Sequence, residues 1–315
     1  MKRVFALILA LAMSMSLFAC GQGGSKDDGQ KKFKVAINCW GQANFFARVG
    51  KEAMEDELTK LGCEVIPTVT DNIADRMKAI ENATALGVDA IIVQEGDLTE
   101  AETAILEAKQ KGIIIGSMDS GTADYVDFYV ASDNPLLGKT TAEALVEKMG
   151  TKGRIIEIIN DAGSMIRMRK EAAHKVFDQY PDIEIAYSLV YSWPDYDADI
   201  MDQVSAILTK EGDNISGVFA SFDGVGVSAY KAIKEFGLQD KIFICGVDGD
   251  PDVYALMKAD GENCNYICTM AQDPDTMART CVRAVVDLLN GKTLDSKVEY
   301  IPGIKVTPAN VNEIG

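Results

Sequence analysis

Asp119, Arg169, Asp248 and Gln272 follow short apolar runs, and so do Trp40, Gln42, Asn44, Phe45, Tyr196 and Phe222. Carboxylates and amides take two neighbouring hydroxyls at once, and an arginine presents a planar fork of donors. Aromatic faces match the C–H faces of a sugar ring. A buried hydroxyl left without a partner costs about 1–3 kcal/mol, so this mixture is what a neutral polyhydroxylated ligand requires. The wider set just past the apolar runs adds Phe46, Gln94, Glu95, Ser120, Asn160, Asp161, Arg167, Trp193, Asp195 and Asp223.

Each of these residues also has a plainer role open to it. Phe45 and Phe46 begin a helical stretch, so one of the two belongs to the core. Arg167 and Arg169 stand two apart and cannot share one helical face. At most one reaches a cleft, and the other pairs at the surface. Trp40 and Trp193 could simply shield the core. Asp195, Asp197 and Asp199 alternate like the first half of a calcium loop, but no glycine follows at the expected place and position 206 is Ala206. Gly224-Val225-Gly226 is only a fragment of a phosphate loop. A nucleophile elbow, a P-loop, a zinc-protease helix and the kinase motifs are all missing, and the one histidine, His174, speaks against a histidine-dependent triad. The expectation is a binding protein, not an enzyme, with no cofactor and no metal.

The elements that must position these side chains alternate along the chain. Nine apolar, β-branched runs read as strands covered on both faces: Lys34–Cys39, Glu64–Thr68, Ala90–Val93, Ile113–Met118, Arg154–Ile159, Glu184–Val190, Gly217–Ala220, Ile242–Val247 and Asn265–Met270. Between them lie amphipathic helix patterns such as Asn44–Leu61, often stopped by a glycine, Gly62 and Gly112 among them. Asp71, Asp133, Ser164 and Asp273 are placed to cap helix starts. Repeated βα units give a doubly wound parallel sheet. There are too many for one sheet, so two similar α/β halves are expected. Ligands of such sheets bind beyond the carboxyl ends of the strands, where the residues above fall.

The N-terminus carries a different signal. Lys2 and Arg3, an apolar run over Val4–Leu17 and a small residue at Ala19 describe an export signal over residues 1–19. Cys20 directly after Ala19 resembles a bacterial lipobox, which implies a lipidated N-terminus. Residues 20–32 lack apolar side chains after Cys20 and read as a flexible tether. The chain has a formal net charge of −17, and loss of Lys2 and Arg3 with the leader takes it to −19 by subtraction. Such a body repels nucleic acid and anionic lipid surfaces. The six cysteines beyond Cys20 are scattered, mostly within apolar runs, and read as buried thiols.

With these positions in hand, the body from Phe33 onward resembles the ribose/galactose-type substrate-binding proteins of bacterial ABC importers. The resemblance rests on Asn44-Phe45-Phe46, Ala131-Ser132-Asp133-Asn134, Arg167-Met168-Arg169, Asp195-Tyr196-Asp197, Phe222-Asp223, Gly246-Val247-Asp248-Gly249 and Ala271-Gln272-Asp273-Pro274. It implies two lobes joined by a three-stranded hinge: residues 33–132 plus 273–301, and 133–272 plus 302–315. It implies that Phe45 and Tyr196 flank a sugar ring, that Asp119 and Arg169 serve it from opposite lobes, and that Asp248 and Gln272 serve it near the hinge. The implied partners are a sugar and an ABC permease. The implied state is a monomer that touches the membrane through its lipid alone and binds no nucleic acid. The departures carry information too. Ribose binders have arginine where Ser120 stands, asparagine at Phe222, phenylalanine at Val247, and asparagine or aspartate at Ala43. These changes argue against plain ribose or galactose, and toward another hexose, a deoxy sugar, a polyol or another small ring ligand such as a nucleoside or a signalling furanone. A sensor domain feeding a membrane receptor is the alternative to transport. A DNA-binding regulator of the same two-lobed shape would need an N-terminal helix-turn-helix and a basic face, which this chain lacks.

Overall fold

The β-branched runs form strands and the amphipathic stretches between them form helices, in strict alternation over most of the chain. The computed structural model describes residues 32–160 and 163–314. The leader, Cys20, the tether up to residue 31 and Asp161 lie outside the described residues. In chain order the first elements are β1 (Lys34–Trp40), α1 (Phe45–Lys60), β2 (Glu64–Thr70), α2 (Ile73–Ala85), β3 (Ala90–Gln94), α3 (Glu102–Gln110), β4 (Ile114–Met118) and β5 (Phe128–Ala131). They are followed by α4 (Asn134–Met149), β6 (Gly153–Ile159), α5 (Ser164–Phe177), β7 (Ile183–Val190), α6 (Tyr196–Glu211), β8 (Gly217–Ala220), α7 (Asp223–Glu235), β9 (Phe243–Asp248), α8 (Pro251–Asp260) and β10 (Tyr266–Ala271). The chain then adds α9 (Pro274–Leu289), β11 (Val298–Tyr300), β12 (Ile304–Val306) and α10 (Val311–Ile314).

The strands make two six-stranded sheets, ordered β11-β5-β4-β3-β1-β2 and β12-β10-β9-β8-β6-β7. Every pairing is parallel except that of β12 with β10. Helices pack on both faces, so the central strands are buried throughout, as in Ala90–Gln94. The chain passes between the sheets three times, from β5 into α4, from β10 into α9 and from β11 into β12. Helix α9 returns to the first sheet, where Met277, Cys281 and Val282 share a core with Val35, Met54 and Leu58. Two doubly wound lobes joined by three connecting segments are therefore the architecture.

All nine expected strands are present, with ends within two residues of the expected ones. Three further strands were not anticipated. Strands β11 and β12 have three residues each, too short to show a period, while β5 has four, all buried like those of β8. Two of the anticipated caps move. Asn72, not Asp71, caps α2 by accepting from the Asp75 amide at 2.9 Å. Gly163 holds the cap position of α5, and Ser164 is its first residue. Asp133 and Asp273 cap α4 and α9 as expected. All six cysteines of the described body are buried. Burial pushes the Cys39 and Cys281 thiols up to about 12, so they behave as apolar fillers.

Candidate functional site

Three carboxylates stand at the C-terminal ends of central strands with backbones turned to positive φ: Glu95 after β3 (φ 55°), Asp119 after β4 (φ 50°) and Asp248 at the end of β9 (φ 132°). Among the described residues only one other non-glycine, Thr151, shares that region. Side chains avoid it for steric reasons, and such outliers persist where surrounding structure over-determines them. Here the over-determination is visible. Buried Arg76 on α2 donates from Nη1 to the Glu95 carbonyl at 2.7 Å, from Nη2 to the Gln94 carbonyl at 2.8 Å and from Nε to Asn38 Oδ1 at 2.8 Å. The Ser120 hydroxyl donates to the same Glu95 carbonyl at 2.6 Å. Asp223 does the equivalent for the second lobe. Its Oδ2 accepts from the amides of Gly249 and Asp250, both at 2.9 Å, and fixes the turn that follows Asp248.

The three carboxylates converge on one cavity between the lobes, holding about 100 Å³, room for one small molecule and not for an oligomer. The first lobe contributes Trp40, Asn44, Phe46, Glu95, Gly96 and Asp119. The second contributes Asn160, Gly163, Met165, Ile166, Arg169, Tyr191, Trp193, Phe222 and Asp248, with Gln272 at a crossing strand. Asp119, Arg169, Asp248 and Gln272 are all buried. Arg169 Nε donates to Asn134 Oδ1 at 2.6 Å and Nη1 to the Ser221 carbonyl at 2.9 Å, with Asp248 Oδ1 at 3.9 Å from Nη1. Asn134 Nδ2 donates in turn to Asp119 Oδ1 at 3.1 Å, and Gln272 Nε2 to Asp248 Oδ1 at 2.8 Å. One network thus ties both lobes and two crossings together. Two acceptor atoms at the cavity, Glu95 Oε2 and Gln272 Oε1, are buried without a hydrogen-bond partner among the described residues. They are open to a ligand's donors.

Burial raises all three acids. The Glu95 carboxyl is pushed up to about 8, with the nearby Asp119 charge adding to the effect. Asp119 and Asp248 also rise through burial, against the pull of Arg169. Arg169 is placed by a close helix contact. A Cβ on Gly138 of α4 would lie 2.2 Å from the Arg169 carbonyl oxygen and 2.6 Å from its Cα. Backbone cannot yield as a flexible side chain does. Gly138→Ala is therefore expected to destabilise the fold by about 1–3 kcal/mol and to weaken binding by displacing α5. Thermal melts and calorimetry on the variant check this.

Seven of the ten anticipated site residues border the cavity: Trp40, Asn44, Asp119, Arg169, Phe222, Asp248 and Gln272. Asn44 also caps α1, accepting from the Ala47 amide at 2.7 Å, and reaches Glu95 Oε1 at 3.4 Å. The other three require correction. Gln42 turns its amide onto the carbonyls of Trp40 and Gly41, at 3.1 and 3.0 Å, and does not line the cavity. Phe46, not Phe45, forms the aromatic wall on α1, because the helix turns Phe46 inward while it also joins the lobe core. Phe45→Ala is accordingly expected to leave affinity within about twofold of the parent, measured by titration calorimetry. Tyr196 stands behind the wall. Its ring meets Phe222 edge-on at 5.2 Å and stacks on Trp193 at 5.8 Å, while its hydroxyl donates across the cleft to the Ala43 carbonyl at 3.3 Å.

Glu95, Asn160 and Trp193 stood in the wider strand-end set without being singled out, and Tyr191, Met165 and Ile166 had no sequence signal. Arg167 bridges to Asp97 of the first lobe while Arg169 enters the cavity, the division that their spacing anticipates. Trp193 Nε1 also crosses the cleft, to Asp71 Oδ1 at 3.3 Å. The Gly224/Gly226 pair serves packing. A Cβ on Gly224 would meet Tyr196 Oη at 2.6 Å, and one on Gly226 would meet Tyr266 Oη at 2.3 Å. His174 lies away from the cavity, with Nε2 at 2.7 Å from Glu157 Oε2.

Comparison with known proteins agrees with this geometry. Residues 35–293 match a family model described as a periplasmic binding protein domain. The ribose import binding protein RbsB of Bacillus subtilis is 26% identical over 307 residues, covering 95% of this chain and 97% of that protein. The xylitol-binding protein of Mycolicibacterium smegmatis is 24% identical over 305 residues, covering 95% of this chain and 84% of its own length. Among solved structures, an ABC transporter solute binding protein from Agrobacterium vitis with bound allitol has a TM-score of 0.82 at 26% identity, covering 90% of this chain and 98% of that one.

Proposed function

The chain belongs to the periplasmic binding protein family, and on that premise we propose that it captures a monosaccharide or similar polyhydroxylated small molecule between its lobes and delivers it to an ABC permease. One observation carries the reading: a single cavity receives Glu95 and Asp119 from one lobe and Arg169 and Asp248 from the other. A ligand seated there gains its full set of contacts only when the lobes are together, so it favours the closed form. Asp119, Arg169, Asp248 and Gln272 take the hydroxyls in this reading. Trp40, Phe46 and Phe222 cover the ring or carbon chain, and Asn44 orients Glu95. The protein acts outside the cytoplasm, as its family does. We further propose that it works as a monomer, held at the membrane by a lipid on Cys20. No covalent chemistry is required of any residue.

The test is titration calorimetry of the purified protein against a panel of monosaccharides and polyols. Saturable one-to-one binding to a panel member is the expected result. A folded protein that stays silent across the whole panel defeats the assignment.

A further inference from the structure

Resting on that reading, we propose that the ligand is an amino sugar or aminopolyol, with a cationic amine seated against Glu95. Acidic groups outnumber basic ones around the cavity. Glu95, Asp119 and Asp248 line it, and Arg169 is the one cationic side chain among its described lining residues. The position after Asp119 is Ser120, a neutral residue whose hydroxyl is used on the Glu95 carbonyl at 2.6 Å. Arg76 stands outside the lining, though its charge acts on the Glu95 carboxyl. It stacks on Trp40 at 4.6 Å from the ring centroid, and its guanidinium donors go to Asn38 Oδ1 and the carbonyls of Gln94 and Glu95, not to a carboxylate.

Glu95 has the marks of a binding group. Its backbone is held at positive φ by Arg76 and Ser120, which aim the side chain into the cavity. Among the described residues Oε1 meets only the Asn44 amide, at 3.4 Å, and Oε2 is buried with no partner. Gln272 is buried too, and its Oε1 also lacks a partner. Burial holds a proton on Glu95 in the empty site at neutral pH, against the pull of Arg76 and Arg169, and a cation seated beside it would let it ionise. An ammonium carries three donors and no acceptor, so it suits this acceptor-rich wall and supplies the positive charge that lets Glu95 give up its proton. Hydroxyls elsewhere on the same ligand suit Arg169 and the two aspartates.

Titration calorimetry of the purified protein at neutral pH, with matched pairs, tests this: D-glucosamine against D-glucose, D-galactosamine against D-galactose, and an amino-inositol against myo-inositol. The amine of at least one pair is expected to bind ten times more tightly or better than its neutral twin, and Glu95→Gln is expected to erase that preference. Neutral twins that bind as well as or better than the amines in every pair overturn the inference and leave the sugar-receptor reading standing. A preference that survives Glu95→Gln overturns the seat at Glu95. Silence from every pair, with neutral sugars and polyols also silent, overturns the underlying reading and the inference with it.

Discussion

Asp248→Ala is expected to lower affinity for the ligand at least a hundredfold while the protein still folds. The carboxylate is buried, 3.9 Å from Arg169 Nη1, and accepts from Gln272 Nε2 at 2.8 Å. Its removal takes away a hydroxyl acceptor and also leaves the guanidinium short of negative charge and the amide without its acceptor. Leaving a buried donor without its acceptor costs about 1–3 kcal/mol, and more where the donor is charged; with the lost ligand contact added, a total of about 3 kcal/mol is more than a hundredfold. The turn beyond Asp248 is secured separately by Asp223, which also accepts from Tyr266 Oη and Thr269 Oγ1, both at 2.7 Å. The lobe therefore has no reason to unfold. Calorimetry measures the loss and a thermal melt checks the fold. A variant that binds within fivefold of the parent would place the carboxylate away from the ligand.

The empty protein should lose stability as pH rises from 5 to 8. Glu95 titrates at its ordinary value of 4.5 in the unfolded chain and at about 8 in the fold, because burial disfavours its charge. Between those values the folded state holds a proton that the unfolded state has lost. The contribution is complete below about 4.5 and disappears as pH climbs through about 8. Asp119 and Asp248 shift in the same direction. For Glu95 alone the swing is on the order of 2–4 kcal/mol. Melting curves of the ligand-free protein between pH 5 and 8 measure it, and Glu95→Gln should flatten the profile. A parent profile that is flat over this window, or rising, contradicts the burial of an uncompensated acid.

Much of the frame was legible because its physics is local. A strand covered on both faces must be apolar along its length, so Ala90–Gln94 and Gly217–Ala220 announce themselves. Strands β11 and β12 do not, since three residues cannot display a period and β11 is exposed. The site was legible as far as strand ends go, because parallel α/β sheets gather their strand ends in one place. Direction was not legible. Whether Phe45 or Phe46 faces the cavity depends on how the first turn of α1 leaves β1. Whether Gln42 reaches outward depends on two nearby carbonyls that take its amide. Glu95 was hardest to see, because its aim is set by Arg76 and Ser120, residues of a different helix and a different strand end. No single stretch of sequence contains that arrangement.

The interleaved path of the chain has a consequence for how the protein is made. Strand β11 pairs with β5, and β12 with β10, so the edge of each sheet is supplied by the C-terminal segment. Helix α9, which covers α1 and the first sheet, also comes late. A polypeptide still emerging from the ribosome therefore cannot complete either half. Both sheets thus finish on pairings of long sequence separation, a class of contact that forms slowly.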